Sequence, residues 1–405
     1  MKKPVDILLV GIGGYGNTYV NALLDADNTD SYAIAGIVDP YPDGCERLAE
    51  LLDKDIPVFA DLDGFYQEHD ADLAIIASPI HLHAPQSLTC LAQGSHVICE
   101  KPVSATIQDA RAMEAAAAKA GKMLAIGYQW SYSSAIQALK QDILSGVLGR
   151  PKRLRTLILW PRDDAYYARP WAGKQRNDNG DWILDSVANN ATAHYLHNML
   201  YVLGSDVAAS AEPQWLEAEL YRAHSIENFD TAAIRVMTVN GCELLYYGTH
   251  ASETRLDPTF VYEFEHGVVR YGKQPDGHYT DGISATFADG TTKSYGRPNA
   301  ERTNHLWSML QSIATGEPRE ICGVRAAAAQ TICINGSQEA CHPIADFPEE
   351  MKHYDHGAER LWVQGLDAGL EQCFLKGTLP SEETLSWAVA KGFRDLRDYS
   401  WFGGL

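Results

Sequence analysis

The stretch VDILLVGIGGYG, residues 5–16, joins a short apolar run directly to a glycine-rich turn. Gly11, Gly13 and Gly16 have the spacing G-x-G-x-x-G, after a predicted strand and at the start of a predicted helix. The first glycine allows a tight turn, the second lets the backbone approach a pyrophosphate, and the third lets the helix pack on the strand. Unpaired N–H groups at the helix N-terminus bind the anion. The stretch predicts a dinucleotide site that includes Gly14 and Tyr15 of the same turn.

An acidic residue ends the next predicted strand. In AIAGIVDP, Asp39 has the spacing at which a carboxylate accepts hydrogen bonds from an adenosine ribose. The same carboxylate repels a 2′-phosphate, and Pro40 and Tyr41 follow it without a nearby arginine. The sequence therefore predicts NAD in preference to NADP.

Residues 5–126 alternate short β-branched runs with helical stretches. The predicted strands are VDILLV, YAIAGIVD, DLAIIAS, HVICE and KMLAIGY. The predicted helices are GNTYVNALLDA, CERLAELLD, APQSLTCLAQG and IQDARAMEAAAAKA. This alternation predicts an α/β fold in which residues 1–127 form a doubly wound Rossmann domain, a parallel sheet with helices on both faces.

The pattern changes after residue 127. A helix over SSAIQALKQDILSG, a strand in RPKRLRTLILWPR and a helix through ANNATAHYLHNMLYVLG come first. Alternating segments follow, and their turn signals NG, HG and DG predict antiparallel hairpins. We expect residues 128–405 to form an α+β domain with a large, mostly antiparallel sheet and helices on one face. From residue 301 the chain is predicted to be mostly helical, and it ends in a helical C-terminal extension, residues 361–405.

Composition narrows the class of protein. A chain of 405 residues predicts about two domains. A net charge of −20 argues against nucleic acid as a partner. The eight cysteines form no C-x-x-C pair, so neither a metal site nor a disulfide framework is predicted. The apolar run near the N-terminus is too short and too polar for a signal peptide, and no stretch is long enough to span a bilayer, so we expect a cytoplasmic protein without a membrane partner.

Two further motifs follow the fourth and fifth predicted strands. They read SPIHLHAP and AQGSHVICEKPVSA, and the matching residues are Ser78, Pro79, His83, Gly94, Glu100, Lys101 and Pro102. Here the sequence resembles the Gfo/Idh/MocA family of sugar and polyol dehydrogenases. The likeness continues through GYQWSY, which contains Gln129, and spans residues 5 to about 340. It implies that the cofactor is bound by Ser78, Pro79, His83, Glu100, Lys101 and Gln129, besides the glycine turn and Asp39.

Lys101 is the first candidate catalytic residue. Ligands of open parallel sheets bind beyond the carboxyl ends of the strands, where Lys101 lies. Pro102 has a fixed φ and restricts the lysine before it to extended conformations, so the amine is directed. The resemblance implies that this lysine contacts the substrate hydroxyl and the nicotinamide ribose.

The family's second signature, D-x-G-x-H-x-x-D, falls on DSVANNATAHYLHNMLYVLG. His194 matches its histidine, and an imidazole titrates close to neutral pH, so it can accept a hydroxyl proton. Asn190 stands at the first acid, four residues earlier on the same predicted helix face; an amide can orient a group but cannot ionise. Asp185 is upstream and could compensate. His197 stands at the last acid and is either structural or a substrate contact.

The loop DDAYYARPWAGKQRNDNG precedes this helix and is expected to cover the nicotinamide. Aromatic side chains of the loop can stack on a sugar ring, and its basic side chains can donate to hydroxyls or a carboxylate. The candidate substrate-binding residues of the loop are Tyr166, Arg169, Trp171 and Lys174, with Tyr167 and Arg176 beside them. Alternatively, this is a surface loop whose aromatic residues only anchor it.

The sequence predicts an NAD(H)-dependent oxidoreductase that transfers a hydride between nicotinamide and a ring hydroxyl of a sugar, sugar acid or cyclic polyol. Two alternatives stay open. One is an NAD-dependent glycosidase that acts by transient oxidation and elimination, and the other is a non-catalytic dinucleotide-binding sensor. We expect a homo-oligomer, a dimer or tetramer, because a large sheet needs cover for its apolar face. The C-terminal extension is predicted to pack on its own subunit or on a neighbour.

Overall fold

The computed structural model describes residues 3–27 and 29–405. Its first sheet is parallel throughout and has the strand order β3-β2-β1-β4-β5-β6. The strands are β1 (Val5–Val10), β2 (Tyr32–Val38), β3 (Val58–Phe59), β4 (Leu73–Ile76), β5 (His96–Cys99) and β6 (Leu124–Ile126). The order reverses between β1 and β4, and open α/β sheets bind ligands at such a switch point. The predicted Rossmann sheet is confirmed.

Helices connect these strands. They are α1 (Gly16–Leu24), α2 (Leu48–Asp53), α3 (Leu62–Glu68), α4 (Ile80–Ala92) and α5 (Ile107–Ala120). The bounds of α5 are those predicted: the Thr106 side chain accepts a hydrogen bond from Asp109 N, and Gly121 ends the helix in the left-handed conformation. By contrast, α4 begins four residues before the predicted APQ start, with Pro85 inside the helix.

The second sheet is large and mostly antiparallel, as predicted, with the order β14-β13-β12-β11-β7-β10-β9-β8-β15. Its strands are β7 (Pro151–Leu159), β8 (Pro213–Arg222), β9 (Thr231–Thr238), β10 (Glu243–Thr249), β11 (Leu256–Phe264), β12 (Gly267–Lys273), β13 (Tyr279–Phe287), β14 (Thr292–Gly296) and β15 (Ala345–Asp346). Antiparallel hairpins form at the NG, HG and DG turns. The pairing of β7 with β10 is parallel, which the hairpin signals did not indicate.

The remaining elements complete the chain. They are α6 (Ser134–Leu144), α7 (Asp164–Tyr167), α8 (Ala193–Val202), α9 (Asn304–Thr315), α10 (Val324–Ala340), β16 (Lys352–Asp355), β17 (Arg360–Val363), α11 (Leu366–Lys376) and β18 (Gly392–Asp395). The segment after residue 301 is therefore not purely helical, because short strands separate its helices. Among the described residues, no helix is long and apolar enough to cross a bilayer.

The helix α10 lies between the two sheets. It packs on α5 and β6 on one side and on α8 and β8 on the other, and most of its residues are buried. Asn335 fixes it to the first half, accepting from Ile107 N at 2.9 Å and donating to Ala105 O at 2.9 Å. One hydrophobic core accordingly runs through both halves of the chain.

The outer face of the second sheet is covered by the C-terminal segment. Leu157, Leu245 and Tyr247 point to this face and pack with Leu366 and Leu370 of α11 in a separate cluster. The prediction of helices on one face was therefore wrong, because α11 occupies the other. Of the two predicted positions for the extension, the structure shows the first, on its own subunit. The apolar face that suggested an oligomer is already covered.

Candidate active site

The glycine turn lies at the switch point between β1 and β4. Gly11 has φ +80°, and a Cβ there would lie 3.1 Å from the Ala77 carbonyl carbon. A Cβ on Gly16 would lie 2.2 Å from Gly11 O, so only glycine lets α1 approach β1 this closely. A Cβ on Gly13 would make only an ordinary van der Waals contact, 3.6 Å from the Gly44 backbone. Gly11 and Gly16 thus have the steric requirement of the dinucleotide-binding turn, and Gly11, Gly13 and Gly14 line the cavity.

Asp39 closes the turn at the end of β2. Its Oδ2 accepts from Ile12 N at 2.9 Å, and its Oδ1 accepts from Tyr41 N at 2.8 Å. A carboxylate has further lone pairs on both oxygens, so it can still accept from ribose hydroxyls. Asp61 and Asp63 line the same part of the cavity, which makes its wall acidic.

His83 lies behind the cavity wall. It is 1% exposed, its Nδ1 lies 2.8 Å from Pro102 O, and its Nε2 lies 2.9 Å from Ser78 O. Burial lowers the pKa of this imidazole to about 4. His83 thus holds the turn that contains Ser78 and Pro79 against the cis Lys101–Pro102 segment.

A chain of hydrogen bonds links Lys101 to a buried acid. Lys101 Nζ donates to Asn190 O at 2.9 Å and to Asn190 Oδ1 at 3.2 Å. Asn190 Nδ2 donates to Asp185 Oδ1 at 2.7 Å, and Gly173 N donates to Asp185 Oδ2 at 2.6 Å. Burial lowers the pKa of Lys101 and raises that of Asp185 to about 6. Asp185, which could compensate for the missing acid at position 190, is thus hydrogen-bonded to the amide that stands there.

The backbone before Asp185 is unusual. Leu184 is buried and has φ +50°, a left-handed conformation that is uncommon for a residue other than glycine. Its N–H donates to Gln175 O at 3.1 Å, and Asp185 N donates to Lys174 O at 3.0 Å. These bonds hold the turn that aims the Asp185 carboxylate at Asn190.

Glu100 supports Lys101 from the nucleotide side. It is 5% exposed and accepts from Tyr19 OH at 2.6 Å and from Lys101 N at 3.1 Å. Burial raises the pKa of this carboxyl. Tyr15 donates to Gln129 Oε1 at 2.9 Å, so the predicted Gln129 lies beside the glycine turn.

His194 is in the first turn of α8. Residues 195–202 of this helix are buried, whereas His194 is partly exposed. Its ring meets the Tyr128 ring edge-on at 5.8 Å, and its Nδ1 has no hydrogen-bond partner among the described residues. Burial, and then the positive charge of Lys101, lower the pKa of His194 well below its usual value. The imidazole is therefore neutral at physiological pH.

The predicted helix start at Ala188 was wrong. The helix begins at Ala193, and Asn190 lies in the turn before it, with its N–H donating to Ser186 O at 3.0 Å. Side chains compete with the helix here, because Asn189 Nδ2 donates to Leu184 O at 3.0 Å and Asn190 binds Asp185. Asn190 therefore meets Lys101 from a turn and not from a helix face.

Two predicted substrate residues lie away from the cleft. His197 is 0% exposed, stacks on Tyr128 with ring centroids 3.8 Å apart, and its Nε2 lies 2.9 Å from Ser131 Oγ. Of the two roles left open for His197, a structural role or a substrate contact, its burial supports the structural role. Lys174 does not line the cleft, and its Nζ lies 3.4 Å from Asp178 Oδ1.

The loop before Asp185 forms the far wall of the cleft, a cavity of about 1280 Å³. Tyr166, Arg169 and Trp171 line this wall as predicted. Sequence reasoning missed Arg162 and Arg302, which also line the cleft. The sequence places Arg162 at the end of a strand, and nothing in its neighbourhood marks it as a ligand-binding residue.

The described residues contain no cluster of three or more histidine, cysteine or acidic side chains that could hold a metal ion. The cavity instead joins a glycine turn and a ribose-binding acid to a lysine and an amide. His194 is not among the residues that line the cavity, although the charge of Lys101 acts on it. These features define the class as an NAD-binding oxidoreductase. Residues 5–128 match the Gfo/Idh/MocA family model, described as an oxidoreductase family with an NAD-binding Rossmann fold.

Curated relatives have modest identity to this chain. The 1,5-anhydro-D-fructose reductase of Ensifer adhaerens is 25% identical over 280 residues, which are 62% of this chain and 80% of that protein. The D-glucoside 3-dehydrogenase of Escherichia coli is 29% identical over 148 residues, 36% of this chain and 41% of that protein. The second match thus spans less than half of its relative.

Solved structures share the fold. An oxidoreductase from Agrobacterium radiobacter, crystallised with NAD+, L-tartaric acid and magnesium, has a TM-score of 0.67 and 18% identity, covering 84% of this chain and 96% of that one. The WlbA dehydrogenase from Bordetella pertussis, in complex with NADH and UDP-GlcNAcA, has a TM-score of 0.64 and 20% identity, covering 81% and 94%.

Proposed function

We propose that this protein transfers a hydride between NAD(H) and a ring hydroxyl of a sugar, sugar acid or cyclic polyol. The observation that carries the proposal is the contact of Lys101 with Asn190 at the carboxyl end of β5. The relatives named above, a sugar reductase and a glucoside dehydrogenase, support the substrate class.

NAD fits the cleft, because the glycine turn and Asp39 line one cavity at the switch point of the parallel sheet. When bound, NAD supplies the hydride acceptor. We assign its binding to the glycine turn, Asp39, Glu100 and the wall held by His83. NAD is preferred to NADP because Asp39 and the acidic wall repel a 2′-phosphate. Asp39→Asn should therefore weaken NAD binding and reduce the ratio of the affinity for NAD to that for NADP. Titration with both dinucleotides measures the two affinities.

Lys101 holds the reacting oxygen. An ammonium group has three N–H donors, and Asn190 accepts two of them. The third is free for a substrate hydroxyl, which it orients and polarises. As the oxygen gains negative charge, the ammonium stabilises it.

His194 receives the hydroxyl proton. A neutral imidazole has a ring nitrogen with a free lone pair, and the lowered pKa keeps His194 in this form. Asp185 replaces the carboxylate that the family signature has at position 190. It acts on Lys101 through the Asn190 amide and is a positioning residue.

Lys101→Met tests the proposal, because methionine has a similar length but neither charge nor donor. We expect at least a 100-fold loss of kcat/KM for NADH formation with the best sugar or polyol of a panel. NADH binding should weaken by less than 10-fold, because the glycine turn and Asp39 remain. Retained turnover in this variant would refute the role of the lysine.

The same assay separates the alternatives. Release of an aglycone without net NADH formation would favour a glycosidase, and NADH binding without turnover on any sugar would favour a sensor. No feature of the site favours either alternative over hydride transfer.

The proposal also includes three expectations, on the domain border, the cellular location and the oligomeric state. We place the border between the nucleotide-binding and substrate domains at residues 127 and 128, and we place the protein in the cytoplasm, since its cysteines are unpaired. Association into a homo-oligomer would need a surface other than the covered sheet face. Limited proteolysis, fractionation and light scattering test these three points.

A further inference from the structure

Two arginines line the far wall of the cleft near Lys101. Arg162 follows β7, and Arg169 follows α7. Their guanidinium carbons lie 4.7 and 3.9 Å from the centroid of the Tyr166 ring, and Arg169 also lies 4.4 Å from that of Trp171. The aromatic rings thus hold two positive charges close together.

Neither guanidinium has an acidic partner in residues 3–27 and 29–405. Arg162 Nε and Arg169 Nη2 are buried without a hydrogen-bond partner, and Arg169 Nε donates to Tyr166 O at 2.8 Å. Asp185 is the acid whose charge acts on Arg169, but its two oxygens accept from Asn190 and Gly173.

This arrangement differs from that of three arginines on the central strands of the second sheet. Arg153, Arg155 and Arg235 all pair with glutamates, and Arg235 contacts Glu217 at 2.7 Å and Glu382 at 2.6 Å. A buried charge without a partner is costly, so it is normally paired. Unpaired arginines in a cleft of a protein with net charge −20 therefore call for a ligand anion.

The cofactor does not supply this anion in our assignment. Its pyrophosphate belongs at the glycine turn on β1, whereas both arginines follow β7 of the second sheet. Both arginines nevertheless line the same cavity as Lys101, on the wall formed by the loop before Asp185. Guanidinium groups bind carboxylates and phosphates through paired N–H donors.

We infer that the substrate carries an anionic group, a carboxylate or a phosphate, which binds Arg162 and Arg169 while its reacting hydroxyl meets Lys101. This inference rests on the proposed function and narrows its substrate class to sugar acids or sugar phosphates. The local positive charge also attracts such substrates to the cleft of an otherwise acidic protein. Their association should therefore weaken as ionic strength rises.

The test compares ligands that share one ring and differ at carbon 6. The sets are D-glucose, D-glucuronate and D-glucose 6-phosphate, with the corresponding galactose and mannose series. Kd is measured calorimetrically with NADH bound, so that no turnover is required, and kcat/KM is measured by NADH formation. In at least one series we expect an anionic member to bind at least 10-fold more tightly than the neutral one, and the preferred anion identifies carboxylate or phosphate.

Variants assign the effect to the arginines. Arg169→Gln and Arg162→Gln should each weaken the anionic ligand 10- to 100-fold, at about 1.4 kcal/mol per factor of ten. Neutral ligands and NADH should change less than 3-fold. Arg169→Lys keeps the positive charge but loses the paired N–H donors of the guanidinium group, so it should weaken the anionic ligand by an intermediate factor. Arg176→Gln is the matched control, because Arg176 is exposed, outside the cleft, and stacks on Trp182.

Equal binding of neutral and anionic members in every series would overturn the inference, as would variants that weaken both kinds of ligand alike. Failure of the proposed function is a separate result. Anion binding that depends on Arg169, without NADH formation from any ligand, would leave the anion site standing and refute hydride transfer.

Discussion

The chain of hydrogen bonds from Lys101 through Asn190 to Asp185 is tested most directly by exchanging its acid and its amide. In the double variant Asp185→Asn with Asn190→Asp, Lys101 donates to the carboxylate introduced at position 190. The amide introduced at position 185 then donates through its nitrogen to the other oxygen of that carboxylate, and its oxygen accepts from Gly173 N. Every bond of the present chain has a counterpart, so we expect a folded and active protein.

Each single variant should be worse than the exchange. Asp185→Asn places an amide between two donors, Asn190 Nδ2 and Gly173 N, and it can accept from only one. A buried donor without a partner costs about 1–3 kcal/mol. The structure gives 2.7 and 2.6 Å for the two bonds concerned, which leaves no room for an intervening water.

Asn190→Asp places two carboxylates 2.7 Å apart. At an effective dielectric constant of about 20, their repulsion would be roughly 6 kcal/mol. Protonation limits this cost, because the pKa of Asp185 is already about 6. At pH 7.5 adding that proton costs about 2 kcal/mol. The destabilisation should therefore be about 2 kcal/mol at pH 7.5 and should disappear below pH 6.

Urea unfolding at pH 5.5 and 7.5, with kcat/KM for NADH formation, measures the cycle. We expect the double variant to be about 3–5 kcal/mol more stable at pH 7.5 than the sum of the single effects. Additive losses would refute the hydrogen-bonded chain. A pH-independent loss in Asn190→Asp would refute the raised pKa of Asp185.

Three further predictions concern separate parts of the molecule. Gly16→Ala brings a Cβ to 2.2 Å from Gly11 O, so it should destabilise the fold by about 2 kcal/mol or more and weaken NAD binding at least 10-fold by titration. His194 should show no protonation midpoint near pH 6.5 by NMR; because its folded pKa is lowered, the stability that it contributes is lost as pH falls. Leu370→Ala empties a buried position of α11 and should cost about 2–5 kcal/mol in urea unfolding.

Matched positions serve as controls. In Gly14→Ala the added Cβ meets no atom within 4 Å, and only the left-handed backbone conformation, φ +52°, is unfavourable for alanine. The substitution should therefore lower the free energy of unfolding by about 1–2 kcal/mol. Leu375→Ala on α11 removes a side chain that is 46% exposed and should stay within about 0.5 kcal/mol. A normal midpoint for His194, or equal effects of Leu370→Ala and Leu375→Ala, would contradict the packing described.

Local signals explain what the sequence predicted well. The bounds of α5 follow from a threonine cap and a terminal glycine, and each hairpin turn follows from two adjacent residues. The glycine turn was predictable because each glycine has its own steric reason. The roles of Lys101 and His194 were predicted from the family resemblance, whereas the contact of Lys101 with Asn190 was not predicted.

The errors concern contacts between distant segments. Asn190 left the predicted helix because its side chain binds Asp185. His197 has the spacing of a site residue, but α8 is buried on nearly all sides, so periodicity could not separate its faces. Arg162 has no motif, and its role depends on Tyr166 and the cleft. The position of α11 required knowledge of which sheet face lacked cover.

The placement of α10 between the two sheets affects how the protein loses its structure. The helix supplies side chains to a core that both halves share, and Asn335 satisfies backbone groups of the nucleotide half from the other side. Neither half retains an intact interior once α10 departs. Heating should accordingly produce one calorimetric transition rather than two. Cofactor binding should therefore raise the melting temperature of the substrate half as much as that of the nucleotide-binding half.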